Sequence, residues 1–124
     1  MTVSRIASLG TDELIDVFAS LAMRQHTANQ EGDTRAYNKI YFQLKAVATE
    51  LGSRSDDQRR TLLPLLSHTT AWVRYAAAIY TLPVAPVEAR AVLDQLALKS
   101  DNEFATAYAR GAVNALDKGT FPLT

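Results

Sequence analysis

Two histidines, His26 and His68, and two acidic pairs, Asp56-Asp57 and Glu31-x-Asp33, are the residues whose types and spacing could do chemistry in this chain. A metal centre needs three or four ligands at suitable spacing, and His26 has no acidic or histidine partner at i+3 or i+4, so a solvated side chain is expected there. His68 stands beside Thr69 and Thr70, where a polar ring can satisfy the end of a helix. Both acidic pairs fall at predicted helix starts, where carboxylates cap free backbone N–H groups and favour the positive end of the helix dipole. Acid–base work by two carboxylates is the alternative reading. No serine lies in a nucleophile elbow and no glycine-rich loop is suited to phosphate. Cysteine is absent, which removes disulfides and thiolate metal sites. The expectation is a protein without catalytic residues, metal ligands or a cofactor.

Aromatic and arginine side chains are what remains. Arg74 follows the polar corner Ser67-His68-Thr69-Thr70. Trp72, Tyr75 and Tyr80 are aromatics of one helix, read as core or, where part of the set is open, as interface. Arg59-Arg60 reads as a solvated pair. Aromatics and arginine are the residue types that anchor protein interfaces, so Phe42, Trp72, Arg74 and Tyr75 are the candidate partner-binding residues.

The elements that must position these residues are organised around Leu62–Leu82, two apolar helical segments joined at the corner. The first is predicted over about Ser55 to Leu66, with Ser55-Asp56-Asp57-Gln58 as a capping box and Pro64 as a kink or 3₁₀ turn. The second begins after Thr69 or Thr70 and stops before Pro83. Val73, Ala76, Ala77 and Tyr80 fall on one stripe of it and Trp72, Tyr75, Ile79 and Leu82 on another, so it should be covered on more than one face.

Upstream, residues 1–10 read as an arm. Thr11 can cap a helix carrying Leu14, Phe18, Leu21 and Gln25 to about Asn29. Gly32 should end it, and Asp33 should cap the next. That helix, about Thr34 to Leu51, places Tyr37, Ile40, Tyr41, Leu44, Val47, Ala48 and Leu51 on one stripe. Arg35, Lys39, Lys45 and Phe42 lie on its other side, and Phe42 there must meet another element or stay exposed. Downstream, Pro86 suits the first position of a helix to Leu98 with Val92, Leu93 and Leu96 inward. Ser100-Asp101-Asn102-Glu103 is a second capping box, opening a helix that ends at Lys118-Gly119.

One domain over 1–124 follows, with an arm at 1–10 and helix pairs at 11–51, 55–82 and 86–117: an all-α chain of about six helices in antiparallel hairpins. Thirteen basic residues balance thirteen acidic ones, whereas a nucleic-acid footprint needs a clustered basic excess, so none is expected. No apolar run approaches the roughly 20 residues of a membrane crossing. The start MTVSRIASLGTDEL lacks the pattern of a signal peptide, and a soluble cytoplasmic protein with no membrane partner is expected.

A shift of 31 residues aligns Arg59 with Arg90, Leu62 with Leu93, Leu65 with Leu96, Val73 with Phe104 and Ala76 with Ala107, so the hairpin recurs. Leu62-x-x-Leu65-Leu66, the polar corner and Val73-Arg74-x-Ala76-Ala77 resemble a HEAT-type repeat, which implies an α-solenoid or a compact helical array. More of the chain is familiar: Asn29 to Asn38, Asp57-Gln58-Arg59-Arg60-x-Leu62-Leu63-Pro64-Leu65-Leu66-x-His68, Val73-Arg74, Val84-Ala85-Pro86 and Leu116-Asp117-Lys118-Gly119. Together they resemble a small bacterial family known as a domain of unknown function, number twenty-nineteen. Ala115 departs from that pattern, in which an aromatic often precedes the final leucine. The resemblance implies a HEAT-like α-fold with no established enzymatic activity, in a family whose members have been proposed as immunity proteins against bacterial toxins. The function expected is therefore a protein-binding module that neutralises a toxin by occlusion. A structural domain that self-associates through Phe42 or the Trp72 stripe is the alternative.

Overall fold

Helix punctuation written into the sequence sets the fold. The computed structural model describes residues 3–123, which form six α-helices and one 3₁₀ helix, with no strand among them. The chain divides into two compact units that meet in sequence at Leu62 and Leu63.

In the first unit, α1 (Val3–Ser8), α2 (Thr11–Glu31) and α3 (Thr34–Ser53) follow one another. The pattern before Thr11 predicts only an arm, yet α1 is helical because burial of Ile6, 2 % exposed, offsets the cost of ordering so short a turn. Gly32 ends α2 in the left-handed region (φ 70°), where a side chain would be strained. That turn lets the Asp33 N–H donate to the Ala28 carbonyl at 2.9 Å, and Asp33 Oδ1 then caps α3 by accepting from the Ala36 N–H at 3.0 Å. The hairpin buries Leu14, Phe18, Leu21, Ala22, Gln25 and Ala28 of α2 with Ile40, Leu44, Val47, Ala48 and Leu51 of α3. Gln25 Nε2 donates to the Tyr37 carbonyl at 3.5 Å.

Gly10, not Thr11, is the N-cap of α2, and Glu13 Oε1 accepts from its N–H at 3.1 Å. Thr11 is thereby released for another task. Its hydroxyl donates to Gln58 Oε1 and accepts from Arg54 Nη1, while Arg54 also reaches the Leu9 carbonyl and Glu50. The end of α3 is tied to the α1–α2 junction by this one guanidinium.

The predicted α-helix from Ser55 does not form. Asp56 and Asp57 both take the left-handed conformation (φ 64° and 49°), and the chain then winds as a ten-residue 3₁₀ helix, Gln58–Ser67. Aspartate tolerates that conformation better than most residues. Pro64 inside the run would collide with the Arg60 carbonyl in an α-helix. Asp57 takes over the start: its carboxylate accepts from the Arg59 N–H at 3.3 Å and from Arg59 Nε at 2.8 Å. The Arg59 side chain lies over Gly52, where an added Cβ would come within 3.1 Å of Nε.

The second unit contains α4 (Ala71–Thr81), α5 (Pro86–Leu98) and α6 (Glu103–Asp117); α4 packs on both α5 and α6, and α5 and α6 pair as a hairpin. Pro86 opens α5 as its position predicts, and Leu93 and Leu96 are buried. Gly119 (φ 71°) follows α6, with the Thr120 N–H returning to the Ala115 carbonyl at 2.9 Å. The cap of α6 is Asn102 rather than Ser100: its Oδ1 accepts from the N–H groups of Phe104 at 3.0 Å and Ala105 at 3.1 Å.

The sequence repeat is offset by one residue in its second half. Phe104 and Ala107 are exposed, whereas Ala105 and Ala109 are fully buried like Val73 and Ala77. In that register the corners before α4 and α6 match position for position. His68 Nδ1 accepts from the Thr70 N–H at 3.0 Å, and Ser100 Oγ accepts from the Asn102 N–H at 3.1 Å. Arg74 Nη1 then donates to the His68 carbonyl at 2.7 Å, and the Thr106 hydroxyl meets Ser100 Oγ at 2.8 Å. A side chain one turn into each helix thus clamps the corner that begins it.

Candidate partner-binding surface

The four candidate residues are placed very differently. Phe42 stands 64 % exposed on α3, with its ring and that of Tyr41 meeting edge-on (centroids 5.2 Å apart, planes at 82°), and Tyr41 is itself exposed. Neither ring found a place in the α2–α3 core because Ile40, Leu44, Val47 and Leu51 fill it. At 100° per residue, Arg35, Lys39 and Lys45 fall within about 60° of Phe42 on the helix circumference, and all three are exposed.

Trp72 lies at the opposite extreme, 1 % exposed, and cannot itself be a contact surface in the folded chain. It is held by Tyr75 (centroids 5.0 Å apart) and Tyr108 (5.3 Å), which stack on each other at 5.9 Å. Tyr75 is half-buried, so the cluster reaches solvent mainly through Tyr108, which is exposed with Phe104 one turn earlier on α6. Sequence reading missed these two rings. Their i, i+4 spacing, beside the buried stripe of Ala105, Ala109 and Ala112, carries the signal, but aligning Phe104 with buried Val73 conceals it.

Arg74 is half-buried and spends its guanidinium on the His68 and Thr69 carbonyls, at 2.7 and 3.1 Å, as a corner clamp. The Trp72 and Arg74 positions are therefore occupied by folding, and the candidate contacts contract to Phe42 with its neighbours and to the outer edge of the Tyr75–Tyr108 pair.

The Arg59 guanidinium beside Asp57 holds that carboxyl below the usual carboxylate range, stabilising its charged form. Arg90 is shared by Asp117 at 2.8 Å and Asp94 at 2.9 Å, which fix its charge further. A groove of about 450 Å³ in the second unit is lined by Leu82, Val87, Leu116 and Leu123, with Arg90 and Asp94 also in its wall. Neither His68 nor Arg74 lines it. Among the described residues no three or more histidine, aspartate or glutamate side chains group as a metal site, and no helix is long and apolar enough to cross a membrane.

These features define an all-α protein of helical hairpins that presents aromatic and cationic side chains outward. The chain belongs to the family described as a domain of unknown function, DUF2019, whose profile matches residues 12–117. It is similar to protein RPA1889 from Rhodopseudomonas palustris CGA009, known from a crystal structure, at 31 % identity over 94 % of this chain and 96 % of that one, with a TM-score of 0.87. No curated protein matches the chain.

Proposed function

We propose that this is a cytoplasmic protein-binding module whose hairpins act as HEAT-type units, and that its partner is a bacterial toxin held in an occluded state. One observation carries the reading: Phe42 is 64 % exposed beside exposed Tyr41, on a helix whose apolar stripe is otherwise buried. A large apolar ring kept in water gains its burial free energy only when a partner covers it, and aromatic anchors of this kind dominate interface energetics. Binding uses a preformed helical face, so little rearrangement accompanies it. Neutralisation follows if the partner's active site or substrate path lies under that face.

The test is affinity capture of the tagged full chain from its native cell, followed by co-expression of the captured protein with and without this chain. A single stoichiometric partner whose expression alone arrests growth, relieved by this chain, supports the proposal. The absence of any stoichiometric partner overturns it. Self-association through Phe42 is the second reading, favoured by the same exposed ring. Sedimentation showing a monomer independent of concentration removes it.

A further inference from the structure

Resting on that reading, we infer that the outer face of α3 is the docking site and that it takes an acidic protein surface with an apolar slot for Phe42. The face is a stripe about 120° wide in which Arg35, Lys39 and Lys45 surround Phe42, and none of its residues is acidic. None of the three cations makes an ion pair with a described carboxylate. Three unpaired charges of one sign around a single exposed ring match a partner of opposite sign, which would be steered in by the charges and held by the ring.

Charge also rejects the competing occupants. A second copy of this chain, docked face to face, would set three cations against three cations. A nucleic acid needs a basic track, but here the cations span only about 15 Å along the axis. Carboxylates bound them at both ends, Glu31 and Asp33 on one side and Glu50 on the other, and the chain as a whole is neutral.

The experiment pans a phage-displayed library of random peptides against the full chain, with counter-selection against F42A/K39E/K45E. Enriched peptides should carry Asp and Glu flanking one or two large apolar residues. For a synthetic peptide of that type, F42A should raise Kd at least tenfold at any salt. K39E or K45E should raise it about fivefold at low salt, and this effect should fade as ionic strength rises. Every substituted side chain is exposed, so thermal melts of the variants should coincide with that of the parent. Enrichment of neutral or basic peptides, or equal binding to the triple variant, overturns the inference. So does binding of an oligothymidylate with affinity comparable to the peptides. If the partner captured from native cells binds the triple variant as well as the parent, the binding function stands and this face is wrong; if there is no partner, the function itself falls.

Discussion

Replacing Trp72 separates folding from binding. The indole is 1 % exposed and contacts Tyr75 and Tyr108, so W72A removes the largest fully buried side chain of the chain and opens a cavity between α4 and α6. Truncations of this type cost about 3–5 kcal/mol, within which each aromatic contact contributes about 0.5–1.5 kcal/mol. A natural domain of this size has about 5–15 kcal/mol in total, so W72A should remain folded at low temperature but with little margin. W72F keeps most of the ring volume and should cost about 1–2 kcal/mol. The assay is urea unfolding followed by far-UV circular dichroism, because Trp72 is the sole tryptophan and the variant loses its fluorescence. With a slope of about 2 kcal/mol per molar urea, the W72A midpoint should fall by about 2 M. Below that midpoint, affinity for the acidic peptides selected on α3 should match the parent. A cost under about 1 kcal/mol would refute the burial argument, and lost peptide binding by a still-folded W72A would refute the assignment of Trp72 to the core alone.

Three further outcomes follow from single interactions. G32A places a side chain at φ 70° and should cost about 1 kcal/mol in a thermal or urea melt. N102A orphans the N–H groups of Phe104 and Ala105 and should also cost about 1 kcal/mol, whereas N102D should preserve the cap. Asp57 has a carboxyl held below its ordinary value near 3.8 by Arg59, so its contribution is complete above that value and is lost as the pH falls through the lower folded value. D57N, which keeps a residue tolerant of φ 49°, should lower stability at neutral pH by up to about 1 kcal/mol, and the difference from the parent should shrink to nothing in strong acid. A difference that persists at pH 2 would show that the amide disturbs the turn rather than the ion pair.

The hairpins were legible where punctuation is local. Gly32 and Asp33 announce one turn, Pro86 another helix start and Gly119 the last stop, because each acts through its own backbone or side chain within a few residues. Seeing the rest requires the third dimension. α1 is too short to show a period, and the burial of Ile6 that supports it is a contact no local pattern announces. Ser55-Asp56-Asp57-Gln58 satisfies the capping-box pattern, but Arg59 draws Asp57 into a turn and Pro64 disfavours an α-helix downstream, so the 3₁₀ form prevails. Trp72 and Phe42 look equally available in a sequence. One is enclosed by tyrosines from two helices and the other is left outside a core already filled, and neither outcome is encoded near the residue itself.

His68, Asp33 and Asp57 are used by the fold for a common reason. Each helix start leaves backbone N–H groups without intrahelical partners, and a chain of short hairpins has many such starts. His68 with Arg74 at one corner and Ser100 with Thr106 at the next occupy equivalent positions and do equivalent work, although one pair is cationic and aromatic and the other is two hydroxyls. Because hydroxyls fill the same role at the second corner, a histidine and an arginine at the first need no catalytic or ligand-binding purpose to account for them. Phe42 and the three cations around it satisfy no such need, which is why the proposed docking face is placed on them.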